Sequence, residues 1–248
     1  VKRERLDLLV VGRGLAETRT KAQAMILAGQ IVVGDQRVDK PGTRVDTEAE
    51  IRVKGEILPY VSRGGLKLKA ALDAFQLKPH GTVCADIGAS TGGFTDCLLQ
   101  EGALRVHAID VGVAQLHQKL RADARVISKE RVNARQLADT DLPESVDAIV
   151  IDVSFISLKW VLPSVLARLK AGGWLVALVK PQFEVGREHV AKGGVVKDPQ
   201  ARAAAIAHIR DFVIAQGLDV VGLIDCPVPG PAGNIEALLG ARKPAAPR

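Results

Sequence analysis

A glycine-rich stretch, Asp86-Ile87-Gly88-Ala89-Ser90-Thr91-Gly92-Gly93-Phe94-Thr95, follows an apolar run and opens a segment of helical pattern. Glycines at a strand-to-helix turn let the backbone come close to a ligand, and the helix start offers amides without intrahelical partners. Asp110 ends the next apolar run, 22 residues after Gly88. A carboxylate there suits both hydroxyls of an adenosine ribose. The expected ligand is therefore of nucleotide type, held by Asp86, Gly88, Ser90, Thr91, Gly92, Gly93, Phe94 and Asp110. The turn departs from G-x-G-x-x-G, the spacing that makes room for a dinucleotide's pyrophosphate. Asp86 would repel a pyrophosphate and attract an ammonium group, so S-adenosylmethionine is expected rather than NAD. Val111 is placed to pack on the base and Asn133, in ISKERVNARQL, to read the adenine edge; core packing and turn formation are their plainer roles.

Two cations raise a second question. Lys67 and Lys69 follow Gly64-Gly65 at a helix start in VSRGGLKLKAAL, where the macrodipole disfavours positive charge. Something besides helix stability is expected to account for at least one of them, the alternative being solvated lysines pointing outward. Metal chemistry has no such signal. His80, His107, His117, His189 and His208 lack paired spacing, and Cys84, Cys97 and Cys226 form no CxxC pair, so neither a metal site nor a disulfide framework is expected. A reducing cytoplasm fits best. No apolar run reaches spanning length and the charged N-terminus leads into no apolar segment, so secretion and membrane insertion are not expected.

The elements that must position these groups fall into two modules. RLDLLVVGRG reads as a helix closed by Gly14, and TRTKAQAMILAGQ as a second helix capped by Thr18 and ended at Gly29. Ile31-Val32-Val33, a turn at Gly34-Asp35 and the alternating VDTEAEIRV read as strands. Residues 1–69 carry 14 Lys+Arg against 9 Asp+Glu, which accounts for +5 of the net charge of +6. A basic excess gathered in a leading module is the footprint of contact with a polyanion, most simply nucleic acid. Aromatics are only 3% of the chain, which argues against base-stacking platforms of the single-strand-binding kind. Beyond residue 69, VCADIGA, VHAIDVG, ARVIS, DAIVIDVSF, GWLVALVKP and DVVGLIDCPV are apolar runs separated by helical or loop segments. They predict an α/β fold with a mainly parallel sheet buried on both faces.

The leading pattern, RLD, then R-x-K-A-x-x-x-I, G-x-I-V-V-G-D and K-P-G, resembles the RNA-binding domain named after ribosomal protein S-four. That resemblance implies an RNA-facing side carrying Arg5, Arg13, Arg19 and Lys21. SRGGLKL at 62–68, DIGASTGGFT at 86–95, DVSFIS at 152–157, VKPQFE at 179–184 and GPAGNIE at 230–236 together resemble the TlyA family. It joins such an RNA-binding domain to an FtsJ-like, Rossmann-like class I methyltransferase domain. Some relatives are named haemolysins. The implied organisation is an RNA-binding domain at 1–58, a linker at 59–65, a catalytic domain at 66–243 and a tail at 244–248. The implied activity is S-adenosylmethionine-dependent 2′-O-methylation of a cytidine ribose in ribosomal RNA, with a Lys-Asp-Lys-Glu tetrad at Lys67, Asp152, Lys180 and Glu236.

Asp152 and Lys180 end apolar runs, where ligands of open α/β sheets bind. Lys180 is expected to meet the hydroxyl, as an amine that takes its proton or as a cation that stabilises the alkoxide. Asp152 would orient it, while Lys67 with Glu236 tunes and holds the group. By the same resemblance Lys69 is only solvated, and the expected partner is large-subunit RNA, because the short termini match the narrower relatives. Competing readings are a non-catalytic ribosome-assembly factor and an NAD-dependent oxidoreductase. Base methylation is a closer rival, but Asp152-Val153-Ser154-Phe155 lacks the paired prolines of amino-directed enzymes. The segment EVGREHVAKGGVVKDP reads as a loop over the site.

Overall fold

The computed structural model describes residues 3–34, 36–54, 58–230 and 233–245. Asp35 of the expected turn, Pro231 and Ala232 of GPAGNIE and the last three residues of the tail lie outside the described residues. The chain divides into two compact units, Val1–Leu58 and Pro59–Arg248.

The first unit runs β1 (Arg3–Arg5), α1 (Leu6–Gly12), α2 (Arg19–Leu27), β2 (Ile31–Val33), β3 (Gln36–Arg37), β4 (Arg44–Asp46) and β5 (Ile51–Val53). Thr18 caps α2, its hydroxyl accepting from the Lys21 amide at 3.2 Å, and Gly14 and Gly29 leave both helices with positive φ, which a residue with a Cβ adopts only at a cost. The alternating stretch 45–53 forms two strands rather than one. Asp46 accepts from the Glu48 amide at 3.0 Å, a side-chain turn that breaks the extended run. β4 then pairs with β1 while β5 joins β2, which also pairs with β3. Leu6, Val10, Ile26, Ile31 and Ile51 fill a small core between helices and strands.

The second unit runs α3 (Gly64–Phe75), β6 (Val83–Ile87), α4 (Gly93–Gln100), β7 (Arg105–Ile109), α5 (Gln118–Arg121), β8 (Val126–Lys129), β9 (Val146–Ile151), α6 (Leu158–Leu166), β10 (Leu169–Val179), α7 (Pro181–Glu184), α8 (Pro199–Ala215), β11 (Asp219–Asp225) and β12 (Ala237–Arg242). Its seven-stranded sheet has the order β11-β12-β10-β9-β6-β7-β8. The five strands from β8 to β10 are parallel, and β12 lies antiparallel between β10 and β11. β12 has no counterpart in the six runs read from the sequence. Its segment, ALLGAR, is rich in Ala and Leu, which favour helix, and is too short to show a period; pairing on both sides makes it a strand.

Successive side chains of a strand point to opposite faces, and β9 supplies both cores. Ile149 and Ile151 pack with α6 and α8, whereas Ala148 and Val150 face α3 and α4. Each fully buried Ile or Leu contributes about 1.5–3 kcal/mol, so these two faces hold the strand ends in place. The chain order reverses between β6 and β9, and the crevice beyond their carboxyl ends is where open α/β sheets bind ligands.

Candidate active site

That crevice is built by close approach of two helix starts. A Cβ added to Gly93, the first residue of α4, would lie 2.9 Å from the Gly65 amide nitrogen, closer than real side chains come, and a tight 3.1 Å from the Gly64 Cα. Gly93 is therefore what allows α4 to approach the start of α3, while a Cβ at Gly65 would collide instead with the Tyr60 ring. The segment before α3 is tied down by Asp96, which accepts from the Val61 amide at 2.9 Å. Lys67, one turn into α3, is thereby brought over the glycine turn. Lys69 points elsewhere and is ion-paired rather than merely solvated, at 2.8 Å from Asp73 and 3.0 Å from Glu101.

Two lysine–carboxylate pairs meet at this place. The Lys67 Nζ donates to Glu236 Oε2 at 2.5 Å; the Lys67 side chain is 9% exposed and that of Glu236 is fully buried. Glu236 precedes β12, so the strand missed in the sequence is what delivers it. Lys180, at the end of β10, has its Nζ 2.5 Å from Asp152 Oδ1 and donates to Ser154 Oγ at 2.9 Å. A cavity of about 640 Å³ is lined by Lys67, Lys180, Asp152, Ser154, Ser62, Arg63, Pro229 and the turn residues Gly88, Ala89, Ser90, Thr91, Gly93 and Phe94. A second of about 420 Å³ shares Gly88, Ser90, Asp152 and Ser154 with it and adds Asp110, Val111 and Asn133. Together they form one elongated crevice.

The sites expected from the sequence occupy it unevenly. Asp110 accepts from the Ser90 amide at 2.8 Å and the Gly112 amide at 2.6 Å, which fixes its carboxylate at the rim of the smaller cavity. Val111 is 73% exposed there. Asn133 caps a short turn, its Oδ1 accepting from the Arg135 amide at 3.0 Å. Asp86 and Gly92 line neither cavity. Asp86 is fully buried and accepts from the Thr95 hydroxyl at 2.6 Å, bracing α4 against β6, and burial pushes its carboxyl up to about 7. Gly92 holds a φ of 95° where a Cβ would meet Leu116 and Leu120. The loop after α7 is anchored by the buried Asn234, which donates to the Gly194 carbonyl at 2.8 Å and accepts from the Val196 amide at 3.1 Å. Ser154, Ser62, Arg63 and Pro229 were not anticipated as site residues; Ser154 in DVSFIS and Ser62-Arg63 in SRGGLKL stood inside motifs already marked, whereas Pro229 had no signal. No cluster of three or more His, Cys, Asp or Glu suited to a metal occurs among the described residues.

The first unit carries a different arrangement. Asp7, fully buried at the start of α1, accepts from Arg5 at 2.9 and 3.0 Å, from Arg19 at 3.0 Å and from Gln23 at 2.8 Å. The Arg5 guanidinium, assisted by Gln23 and Arg19 and opposed by burial, holds its carboxyl well below the usual range. The two arginine side chains stay 41% and 52% exposed. Arg13 donates to the carbonyls of Ala49 and Thr47 at 2.7 and 2.6 Å, and Lys21 lies 3.3 Å from Glu17.

Comparison with known proteins agrees with this geometry. The family model described as FtsJ-like methyltransferase matches residues 60–243, and the S4 domain matches residues 4–51. The chain is 45% identical to the 16S/23S rRNA (cytidine-2′-O)-methyltransferase TlyA of Mycobacterium tuberculosis, over 97% of this chain and 90% of that one. It is 36% identical to the 23S rRNA (cytidine-2′-O)-methyltransferase TlyA of Campylobacter jejuni, over 79% of this chain and 72% of that one. A solved structure from Streptococcus thermophilus that carries a hemolysin name superposes with a TM-score of 0.76 at 45% identity, covering 99% of this chain and 90% of that one. With the parallel sheet, the glycine turn and the leading S4 module all in the family's order, the chain belongs to the FtsJ-like methyltransferases and, within them, to the TlyA family.

Proposed function

We propose that this protein transfers a methyl group from S-adenosylmethionine to the ribose 2′-hydroxyl of a cytidine in large-subunit ribosomal RNA. The observation that carries this reading is the convergence of the Lys67–Glu236 and Lys180–Asp152 pairs on the cavity beside the glycine turn. A small-molecule binder has no need of two lysines drawn out of water, whereas a weak hydroxyl nucleophile has. The names of the two TlyA relatives share the large-subunit RNA, and a ribosomal substrate makes the cytoplasm the place of action.

The residues fit the cofactor. Asp110 presents a fixed carboxylate to the smaller cavity, suited to a ribose diol, with Val111 and Asn133 on the base side. Gly88, Ser90, Thr91, Gly93 and Phe94 line the larger cavity, where the methionyl part would extend. S-adenosylmethionine would supply an electrophilic methyl group there. The protein's own task is to place the hydroxyl in line and manage one proton. An ammonium has three donors; Lys180 directs two contacts to Asp152 and Ser154, which leaves one direction for the ribose oxygen. As a neutral amine its lone pair in that direction takes the hydroxyl proton; as an ammonium its remaining N–H holds the developing negative charge. Asp152 aims Lys180, and Lys67, held by Glu236, adds positive potential at the cavity wall. Holding the reactants in line supplies much of the rate. Residues 1–58 form the RNA-binding domain, with Arg5 and Arg19 held outward on Asp7 for phosphate contact, and the catalytic domain extends to 243, with 59–65, expected as a linker, packed into its unit.

Incubation with separated ribosomal subunits and labelled cofactor, followed by nuclease digestion, tests the proposal. The expected product is 2′-O-methylcytidine from the large subunit. Label on a base, or label on the small subunit comparable to that on the large, overturns it.

A further inference from the structure

The strand-end motifs DVSFIS and VKPQFE contain more order than the tetrad requires. Asp152 and Lys180 leave adjacent parallel strands, β9 and β10; an irregular stretch leads from Asp152 to α6, and the short helix α7 follows Lys180 directly. A lysine amine at the end of a flexible stem is held only as well as the backbone that bears it and its partners. In this molecule the two stretches are joined at successive levels. Nearest the sheet are the contacts of Lys180 with Asp152 and Ser154. Farther out, the rings of Phe155 and Phe183 lie with centroids 5.2 Å apart. The last level is Glu184, whose Oε2 accepts from the Ser157 hydroxyl at 2.6 Å and whose Oε1 accepts from the Leu158 amide at 2.9 Å.

Ser157 is also the N-cap of α6. Glu184 therefore places a carboxylate over one orphan amide and the capping hydroxyl at the start of a nine-residue helix, where negative charge is favoured. The residue lines neither cavity, so its route to the chemistry runs through the backbone. Burial pushes its carboxyl up, and the two hydrogen bonds act against that; such a group persists where its partners are fixed. One side chain thus ties the turn that bears Lys180 to the helix start that follows Asp152.

We propose that Glu184 is a positioning residue for methyl transfer: it clamps the segment after Lys180 to the segment after Asp152, and so fixes the Lys180 amine against Asp152 and Ser154. The inference rests on the reading of Lys180 as the group that meets the hydroxyl, and its test separates the two. Glu184→Ala removes both hydrogen bonds, while Glu184→Gln retains an acceptor oxygen for Ser157 or Leu158. Misplacing a reacting group by about 1 Å costs up to roughly a hundredfold in rate. The expected result for Glu184→Ala is a kcat lowered about tenfold or more, with KM for ribosomal subunits and cofactor affinity within about twofold of the parent. Glu184→Gln should recover most of the loss.

An activity-independent readout accompanies these. Acylation of Lys180 by a water-soluble amine reagent, followed by peptide mass spectrometry, should be several-fold faster in Glu184→Ala because the amine is no longer held. Ser157→Ala combined with Glu184→Ala should show non-additive loss of thermal stability, the mark of a direct pair. Unchanged Lys180 reactivity in Glu184→Ala, or a kcat within twofold of the parent, overturns the clamp. If the parent protein methylates no ribose, the proposed function fails, and the reactivity comparison still decides whether Glu184 holds Lys180.

Discussion

The two units of this protein both bury a carboxylate, and they differ in whether its cation is buried with it. In the first, the carboxylate of Asp7 is fully buried while its cations, Arg5 and Arg19, remain 41% and 52% exposed. In the second, the cation itself goes inside: Lys67 is 9% exposed against a Glu236 with no exposure. An exposed guanidinium pinned by a buried carboxylate keeps most of its donors facing solvent, ready for a phosphate, and has lost side-chain entropy in advance. A buried ammonium is withdrawn from any diffusing polyanion and kept for a group that enters the cavity. The same kind of ion pair thus suits binding in one unit and chemistry in the other, according to whether the cation is desolvated along with its carboxylate.

The sharpest way to break this contrast is to remove one buried partner. Lys67→Ala should lower ribose methylation by at least about a hundredfold. It should also lower unfolding free energy by about 3–5 kcal/mol in a denaturant titration, because Glu236 is left as an uncompensated buried charge. A double replacement, Lys67→Met with Glu236→Leu, should recover most of that stability and none of the activity. Lys180→Ala should match the loss of activity with a smaller loss of stability, since Asp152 is partly open to solvent. A Lys67→Ala protein as stable as its parent would remove the distinction between the two units.

Two fully buried aspartates sharpen the comparison through pH. Asp7, held low by Arg5, contributes stability that is present at neutral pH and lost as pH falls from about the ordinary value of 3.8 through its depressed folded value. Asp86 works in the other direction. Its folded pKa of about 7 lies above the unfolded 3.8, so between these values the folded state binds the extra proton and stability falls as pH rises. Above about pH 7 the whole contribution is absent. Asp86→Asn should therefore flatten the stability profile between pH 4 and 7, by an amount on the order of a few kcal/mol. Asp7→Asn should instead cost about 1.5–3 kcal/mol near neutrality, the scale of hydrogen bonds to charged groups. Chemical denaturation of each variant from about pH 2 to pH 8 checks both signs, the Asp7 effect below 3.8 and the Asp86 effect between 3.8 and about 7.

The smallest expected effect lies at the exposed end of the contrast. Arg19→Ala should weaken binding to ribosomal subunits modestly and reduce the slope of log affinity against log salt by about one. It should leave cofactor binding unchanged. Arg13→Ala should change that slope less, because Arg13 is already engaged by the carbonyls of Ala49 and Thr47. Equal slopes for the two variants would show that pinning on Asp7 confers no advantage.

Much of this was legible in the chain itself because it is encoded locally. The β-branched runs, the helix stops at Gly14 and Gly29, the Thr18 cap and the glycine turn at 88–93 are each specified by residues within a few positions of one another. Asp110 and Asp152 were legible for a related reason: a carboxylate at a strand end reaches the crevice whatever the details of packing. Lys67 and Glu236 are 169 residues apart in sequence, and their pairing could be inferred only through family resemblance. Nothing local shows that Gly64-Gly65 must meet Gly93, or that ALLGAR becomes an antiparallel strand that carries Glu236 to Lys67.

Asp86 shows the boundary most clearly. Its position at the start of the turn suggests a ligand contact, but the side of the strand it occupies turns it into the interior against Thr95. Asp7 reads as one acidic residue among basic ones and proves to organise both arginines. The chain alone settled most element types, β12 and the split of 45–53 excepted, together with the α/β class, the leading basic module and the place of the glycine turn, since these follow from periodicity, caps and charge within short windows. Only the tertiary structure decided which charges are buried and with whom, because desolvation and pairing depend on what the rest of the chain packs around each side chain.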